Sequence, residues 1–268
     1  MLIAQISDTH IAEHGHKTLG IAPMQANLRR VVAHINQQDP AADVVLISGD
    51  VTDNGTPEQM ANAARILAGL NAPFFVIPGN HDTRAALWSE FGAAACPSRV
   101  DDFIAYVVDG FDMRLIGLDS TIPNASGGEL CDTRLDWLEA RLAEAPSRPT
   151  LIFMHHPPVK CGVLETDQDG FIGADQLGKI IARFPCVERV LCGHIHLATF
   201  TGWQGTIVAT CPSIGMRLGL DLSMTKESEF LLDDPGYMLH HKSDQGVLIS
   251  HVIRVGNDDG PYPFAPQG

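Results

Sequence analysis

The chain has 268 residues, 45% of them hydrophobic and 19% charged, enough apolar mass for one large domain or a domain with a small appendage. Its net charge of −14, from 18 Lys and Arg against 32 Asp and Glu, argues against long nucleic acid as a partner, because polyanions are repelled and no Lys/Arg cluster marks a basic groove. No stretch approaches the roughly 18 apolar residues of a membrane span, so no membrane partner is expected.

The N-terminus, "MLIAQISDTH", lacks a basic leader and enters a strand-like pattern at once, which predicts a cytoplasmic chain without a signal peptide. "LIAQIS" (2–7) is the first of five short apolar, β-rich runs. The others are "DVVLIS" (43–48), "FFVIP" (74–78), "TLIFM" (150–154) and "VERVLC" (187–192), and all five read as buried strands. Amphipathic helices are predicted between them: 23–38 with Pro23 at its first position, and 57–70 with Thr56 as N-cap. A further helix starts at Thr83 behind a capping Asp82, and Asp132 caps "TRLDWLEARLAEA". The last is expected near 174–184.

Two hairpins are expected, over 103–119 with its turn at Asp109-Gly110, and over 197–211 with its turn at Gly202 to Gly205. Residues 212–235 break the pattern and read as an inserted cap or oligomerisation arm, in which Met216, Leu218, Leu220 and Leu222 alternate. Residues 236–256 form a terminal hairpin that returns to the main domain, 1–211, and the Gly/Pro-rich tail 257–268 is expected to be poorly ordered by itself. Strands and helices in this order predict an α/β sandwich of sheets flanked by helices. The six cysteines (Cys96, Cys131, Cys161, Cys186, Cys192 and Cys211) include no Cys-x-x-Cys pair and read as reduced, mostly buried thiols.

The chemistry lies where the five strands end. They are followed by Asp8-Thr9-His10, Gly49-Asp50, Gly79-Asn80-His81-Asp82, His155-His156 and Gly193-His194-Ile195-His196. In an open α/β sheet such ends lie along one edge, where ligands bind. Residues i and i+2 of extended chain point the same way, so Asp8 with His10, and His194 with His196, each aim two donors at one point. His155 and His156 are adjacent and should point oppositely, so only one of them is expected to bind metal. The glycines before Asp50, Asn80 and His194 fit close backbone approach. Carboxylates, an amide oxygen and imidazoles together suit Mn, Fe, Zn or Co better than Ca or a structural Zn. Asp8, His10, Asp50, Asn80, one of the His155-His156 pair, His194 and His196 exceed the needs of one ion, and a carboxylate-bridged pair ~3.5–4 Å apart accommodates them. Polar strand caps are the bland alternative, but a packed interior penalises so many convergent unpaired polar groups.

Taken in order, Asp-x-His, Gly-Asp, Gly-Asn-His-Asp, His-His and Gly-His-x-His, over residues 8 to 196, resemble the calcineurin-like metallophosphoesterases. The stretches "GHKTLG", "IPGNHD", "FMHHPP" and "PGYMLHH" are similar to the bacterial branch of glycerophosphodiesterases and class III cyclic nucleotide phosphodiesterases. The resemblance implies a four-layer α/β/β/α sandwich of two mixed sheets, with 1–211 as catalytic domain and 212–254 holding a small cap and dimerisation segment. It implies one metal on Asp8, His10 and His196 and a second on Asn80, His156 and His194, with Asp50 bridging. His81 and Asn80 would contact the phosphate, His81 would serve the leaving alkoxide, and Asp82 and His155 would support the ligands from behind. His16, in a loop after the first block, is a further substrate-binding candidate.

Absences narrow the activity. Asn54 stands where related protein phosphatases carry an Arg, and Asp53 where purple acid phosphatases carry a Tyr ligand. The expectation is therefore a phosphodiesterase with two divalent or trivalent ions, acting on a small glycerophosphodiester-like substrate, promiscuous within that class. A 3',5'- or 2',3'-cyclic nucleotide phosphodiesterase is the alternative, disfavoured because no aromatic residue adjoins the metal blocks. A non-catalytic binding scaffold should have lost ligands, and none of the seven is missing.

Overall fold

The computed structural model describes residues 1–256, 260 and 262–264; the tail from Asn257, expected to be poorly ordered, falls mostly outside the described residues. In chain order come β1 (Leu2–Ile6), α1 (Met24–Asn36), β2 (Val44–Ser48), α2 (Pro57–Leu67), β3 (Phe74–Ile77) and α3 (Arg84–Ala95). They are followed by β4 (Ala105–Val108), β5 (Arg114–Leu118), β6 (Gly128–Glu129), α4 (Asp132–Glu144), β7 (Thr150–Phe153) and α5 (Leu164–Asp169). Then come β8 (Phe171–Ile172), α6 (Ala174–Arg183), β9 (Val187–Cys192), β10 (Thr199–Trp203) and β11 (Thr206–Thr210). The chain ends with β12 (Met216–Leu218), β13 (Phe230–Leu232), β14 (Gly236–Lys242) and β15 (Leu248–Arg254).

Two sheets carry the fold. The first has the order β15-β14-β1-β2-β3, parallel across β1, β2 and β3 and antiparallel where the terminal hairpin joins β1. The second has the order β10-β11-β9-β7-β5-β4, parallel at its centre and antiparallel at both edges. Alternation along the second sheet separates two cores. Leu115, Leu151, Leu191 and Ala209 face the core shared with the first sheet, while Ile116, Ile152, Val190 and Val208 pack with Leu138 of α4 and Ile181 of α6. Leu28, Met60 and Leu87 of α1, α2 and α3 join the first core. The layers therefore run helices, sheet, sheet, helices, as expected from the sequence.

Local chemistry explains most boundaries, with four corrections. Thr56 caps α2 by accepting the Gln59 N–H at 3.2 Å. At α3 the cap is Thr83, whose Oγ1 accepts the Ala86 N–H at 3.4 Å, and Asp82 is committed elsewhere. Asp132 does not cap α4: Cys131 occupies that position, and Asp132 lies in the first turn, where its charge suits the helix dipole. Pro23 precedes α1 and is not its first residue. The turn between β10 and β11 is confined to Gln204-Gly205, and Gly202 is part of the strand. All six cysteines are free, and among the described residues no helix is long and apolar enough to cross a membrane.

A buried polar link crosses the first sheet. His240 of β14 meets Gln5 Oε1 at 3.1 Å through Nε2 and Ser250 Oγ at 2.7 Å through Nδ1. Burial, with Arg189 and His251 adding to it, pushes His240 down to about 3. An unfolded His titrates near ~6.5, so between about 6.5 and 3 the unfolded chain binds a proton that the folded chain refuses. The stability is complete above that window and is lost as pH falls through it. His240→Gln is expected to flatten the acid limb of stability against pH, checked by urea midpoints at about pH 7 and about pH 4.5. Parallel pH dependences for variant and wild type would contradict this.

Candidate metal centre

Asp8, His10, Asp50, His194 and His196 all have left-handed backbone, with φ of 52°, 40°, 47°, 73° and 55°. Strand alternation therefore does not aim them. They lie past the ends of β1, β2 and β9, and the loops turn their side chains inward. The five strand ends also do not share one sheet edge: β1, β2 and β3 belong to the first sheet, β7 and β9 to the second. Side chains from both sheets meet where these edges face each other. Asp, Asn and His tolerate positive φ better than other residues with side chains, at a cost of ~1 kcal/mol or more each.

Hydrogen bonds hold the loops in place. The Asp8 and His10 N–H groups donate to the Gly49 and Asp50 carbonyls at 3.1 and 2.9 Å. Asp82 accepts from the N–H groups of Val51, Thr52 and Gly79 and from the Thr52 hydroxyl at 2.7–3.0 Å, tying the loop after β2 to the loop after β3. The His81 N–H donates to Asp50 Oδ1 at 2.9 Å, and the His194 N–H to Asp8 Oδ1 at 3.0 Å. At Gly79 and Gly193 close approach leaves room only for hydrogen. A Cβ at Gly79 would run into the Asp50 carboxylate and amide, and one at Gly193 into the Ser7 hydroxyl, with Asp8 Oδ2 2.8 Å away.

The cluster has two halves. In one, His10 Nε2 lies 3.0 Å from His196 Nε2, Asp8 Oδ1 is 3.7 Å from His196 Nε2, and Asp50 Oδ2 is 3.6 Å from His10 Nε2. In the other, Asn80 Oδ1 lies 3.1 Å from His194 Nδ1 and 3.1 Å from His155 Nε2, and the His156 and His194 rings are 4.7 Å apart. Asp50 borders both, since its Oδ2 is also 3.3 Å from His155 Nε2. His155 and His156 do not point oppositely. Both follow the end of β7 at Phe153, where pleat alternation no longer applies, and their rings are 4.8 Å apart in the same cluster.

The donor set fits metal cations. His196 donates Nδ1–H to the Met216 carbonyl at 2.6 Å, which leaves Nε2 a lone pair. Asp53 Oδ1 lies 3.9 Å from His10 Nδ1, beyond hydrogen-bond reach. His10 Nε2 and His196 Nε2 stand 3.0 Å apart between two buried carboxylates, a set of nitrogen and oxygen donors that suits a cation. Burial holds His10, His156 and His194 neutral, with His194 pushed down to about 3, and neutral imidazole is the ligating form. Burial raises Asp8. It opposes ionisation of Asp50 too, but His155, His10 and His81 outweigh it and keep that carboxylate ionised.

A cavity of about 280 Å³ opens over the cluster, with Asn80, His81, His194 and His196 on its floor. Met216, Leu218 and Phe230 wall it from the 212–235 segment, and Glu165 and Thr166 from α5. A second cavity of about 310 Å³ reaches His156 and His194 from the side of Pro157 and Phe171. His16 is exposed and lines neither. Sequence reasoning missed Asp53, Ser120, Phe171 and Phe230. Ser120 Oγ lies 2.9 Å from His156 Nδ1. Phe171 and Phe230 arrive from segments remote from every metal block, which spacing along the chain does not reveal.

The family described as calcineurin-like phosphoesterase matches residues 1–198. A probable glycerophosphodiester phosphodiesterase of Arcobacter nitrofigilis is 36% identical over 265 residues, 98% of this chain and 97% of that one. A 3',5'-cyclic adenosine monophosphate phosphodiesterase of Escherichia coli K12 is 30% identical over 268 residues, 99% of this chain and 94% of that one. Among solved structures, a dimetal phosphatase from Danio rerio has a similar fold, with a TM-score of 0.66 at 16% identity over 96% of this chain and 99% of that chain.

Because a methyl group at either glycine must displace a carboxylate or its neighbour, Gly79→Ala and Gly193→Ala are each expected to lower bound metal after dialysis at least tenfold. Elemental analysis of the purified variants checks this, and wild-type metal content in both would contradict it.

Proposed function

Because the chain belongs to the calcineurin-like phosphoesterase family, we propose that it is a phosphodiesterase that holds two metal ions in this cluster and hydrolyses small organic phosphodiesters. The observation that carries the proposal is the meeting of His10 Nε2 and His196 Nε2 at 3.0 Å between Asp8 and Asp50, beneath an open cavity. Asp8, His10 and His196 would hold one ion, and Asn80, His156 and His194 the other, with Asp50 shared. When bound, such a pair clamps the phosphoryl oxygens and provides a nucleophile at neutral pH. The mixed nitrogen and oxygen donors suit Mn, Fe, Zn or Co.

His81 has its own part. Its Nδ1–H donates to the Asp53 carbonyl at 2.7 Å, so Nε2 is the nitrogen free to face substrate. Burial lowers its proton affinity, but Asp50 and the Asp53 carbonyl more than compensate, and the net shift is upward. A proton held there is available to the leaving alkoxide. Asn80, on the same floor, would contact the phosphate beside it.

Substrate scope follows from the cavity walls. Ser126, Glu165 and Asp169 give a polar slot suited to a glycerol-like alcohol, and the 36% identical relative supports a glycerophosphodiester. Phe230 in the same cavity favours a second reading, a cyclic nucleotide with its base against that ring. The free cysteines fit a cytoplasmic setting, and exposed Leu220 and Leu222 in the 212–235 arm support its use as a homo-oligomer contact.

Chelator-stripped protein given back Mn, Zn, Fe or Co is expected to hydrolyse bis(p-nitrophenyl) phosphate faster than p-nitrophenyl phosphate, with glycerophosphodiesters and cyclic nucleotides compared next. Bound metal without turnover on any of these would turn the fold into a binding scaffold. His81→Ala should keep both ions while kcat drops about 10²–10⁴-fold, most for poor leaving groups. Equal losses for good and poor leaving groups would remove the proton-donor role.

A further inference from the structure

One short turn outside the five metal blocks, Ser213 to Met216, is bonded to a single half of the cluster. Ser213 is 4% exposed. Its Oγ–H donates to the Asp8 carbonyl at 2.9 Å, and the same oxygen accepts the Met216 N–H at 3.3 Å. The Ser213 N–H donates to the His196 carbonyl at 3.4 Å, and the Met216 carbonyl accepts Nδ1–H of the His196 ring at 2.6 Å. Among the described residues the turn makes no hydrogen bond to Asn80, His156 or His194. The two residues it grips, Asp8 and His196, have φ of 52° and 55°, a backbone state that persists only where neighbours impose it.

We propose that Ser213 is a positioning residue for the ion held by Asp8, His10 and His196. It fixes the Asp8 carbonyl and closes the turn that presents the Met216 carbonyl to His196, which sets the tautomer and direction of that ring. Its loss weakens one ion and spares the other. Because Met216 also opens β12, the element that orients His196 is the root of the segment carrying Leu218 and Phe230 to the far wall of the cavity. In the other half, Ser120 Oγ accepts the His156 N–H at 3.2 Å and lies 2.9 Å from His156 Nδ1. The inference rests on the two-ion reading above.

The test titrates metal-free wild type, Ser213→Ala and Ser120→Ala with Mn²⁺ or Zn²⁺ against a chromophoric chelator, alongside Tm of each metal-free protein. In Ser213→Ala one of two affinities should fall about 10–100-fold while the other stays within about twofold. Ser120→Ala should weaken the ion that Ser213→Ala spares. If wild type binds two ions and Ser213→Ala retains both affinities, or loses both alike with a lower metal-free Tm, the positioning role is overturned and the two-ion reading stands. If wild type binds fewer than two ions, both fall together.

Discussion

Five residues with side chains, Asp8, His10, Asp50, His194 and His196, stand in left-handed backbone around one point. At ~1–3 kcal/mol each, they set a total strain comparable to the net stability of an ordinary domain. Much of the surrounding architecture can be understood as the means of holding them. The parallel strands fix where each loop starts, and Asp82 ties two of the loops with four hydrogen bonds. Gly79 and Gly193 keep the space that a side chain would take from Asp50 and Ser7.

Strain and electrostatics reinforce one another. Buried carboxylates and imidazoles are crowded together away from water, and relaxing the loops would rehydrate them. Rigid outer contacts prevent it. Beyond His156 and Ser120, Asp119 accepts Arg84 Nε at 2.6 Å, and Arg84 and Arg134 both lie over the Phe103 ring. Arg134, fully buried, also donates to the Asp119 carbonyl at 3.2 Å and to Glu129 at 2.7 Å. Donors held this closely in a fixed arrangement need little reorganisation to take up a cation, which is how a fold prepares affinity in advance.

The strands and the residues that follow them were legible in the sequence because both signals are local. Buried parallel strands appear as short apolar runs, and polar residues directly behind them are conspicuous. The error lay in extending strand geometry past the strand: alternation could not foresee that His155 and His156 share one cluster, or that Asp8 and His10 converge through positive φ. Asp82 looked like a helix cap because a carboxylate before a helix usually is one, whereas Thr83 satisfied that helix and freed Asp82 for the loops. Ser213, Phe171 and Phe230 reach the site only through tertiary folding, and no spacing rule connects them to it.

Each half of the cluster draws on both sheets. Asp8 and His10 follow β1, His196 follows β9, and their meeting joins positions 186 residues apart. Asn80 is likewise far from His194, by 114 residues. During synthesis, therefore, neither half exists until the loop after β9 has left the ribosome. The loops after the first three strands can bond to one another before then, but the ligand sets proposed for the two ions stay incomplete until the two sheets close.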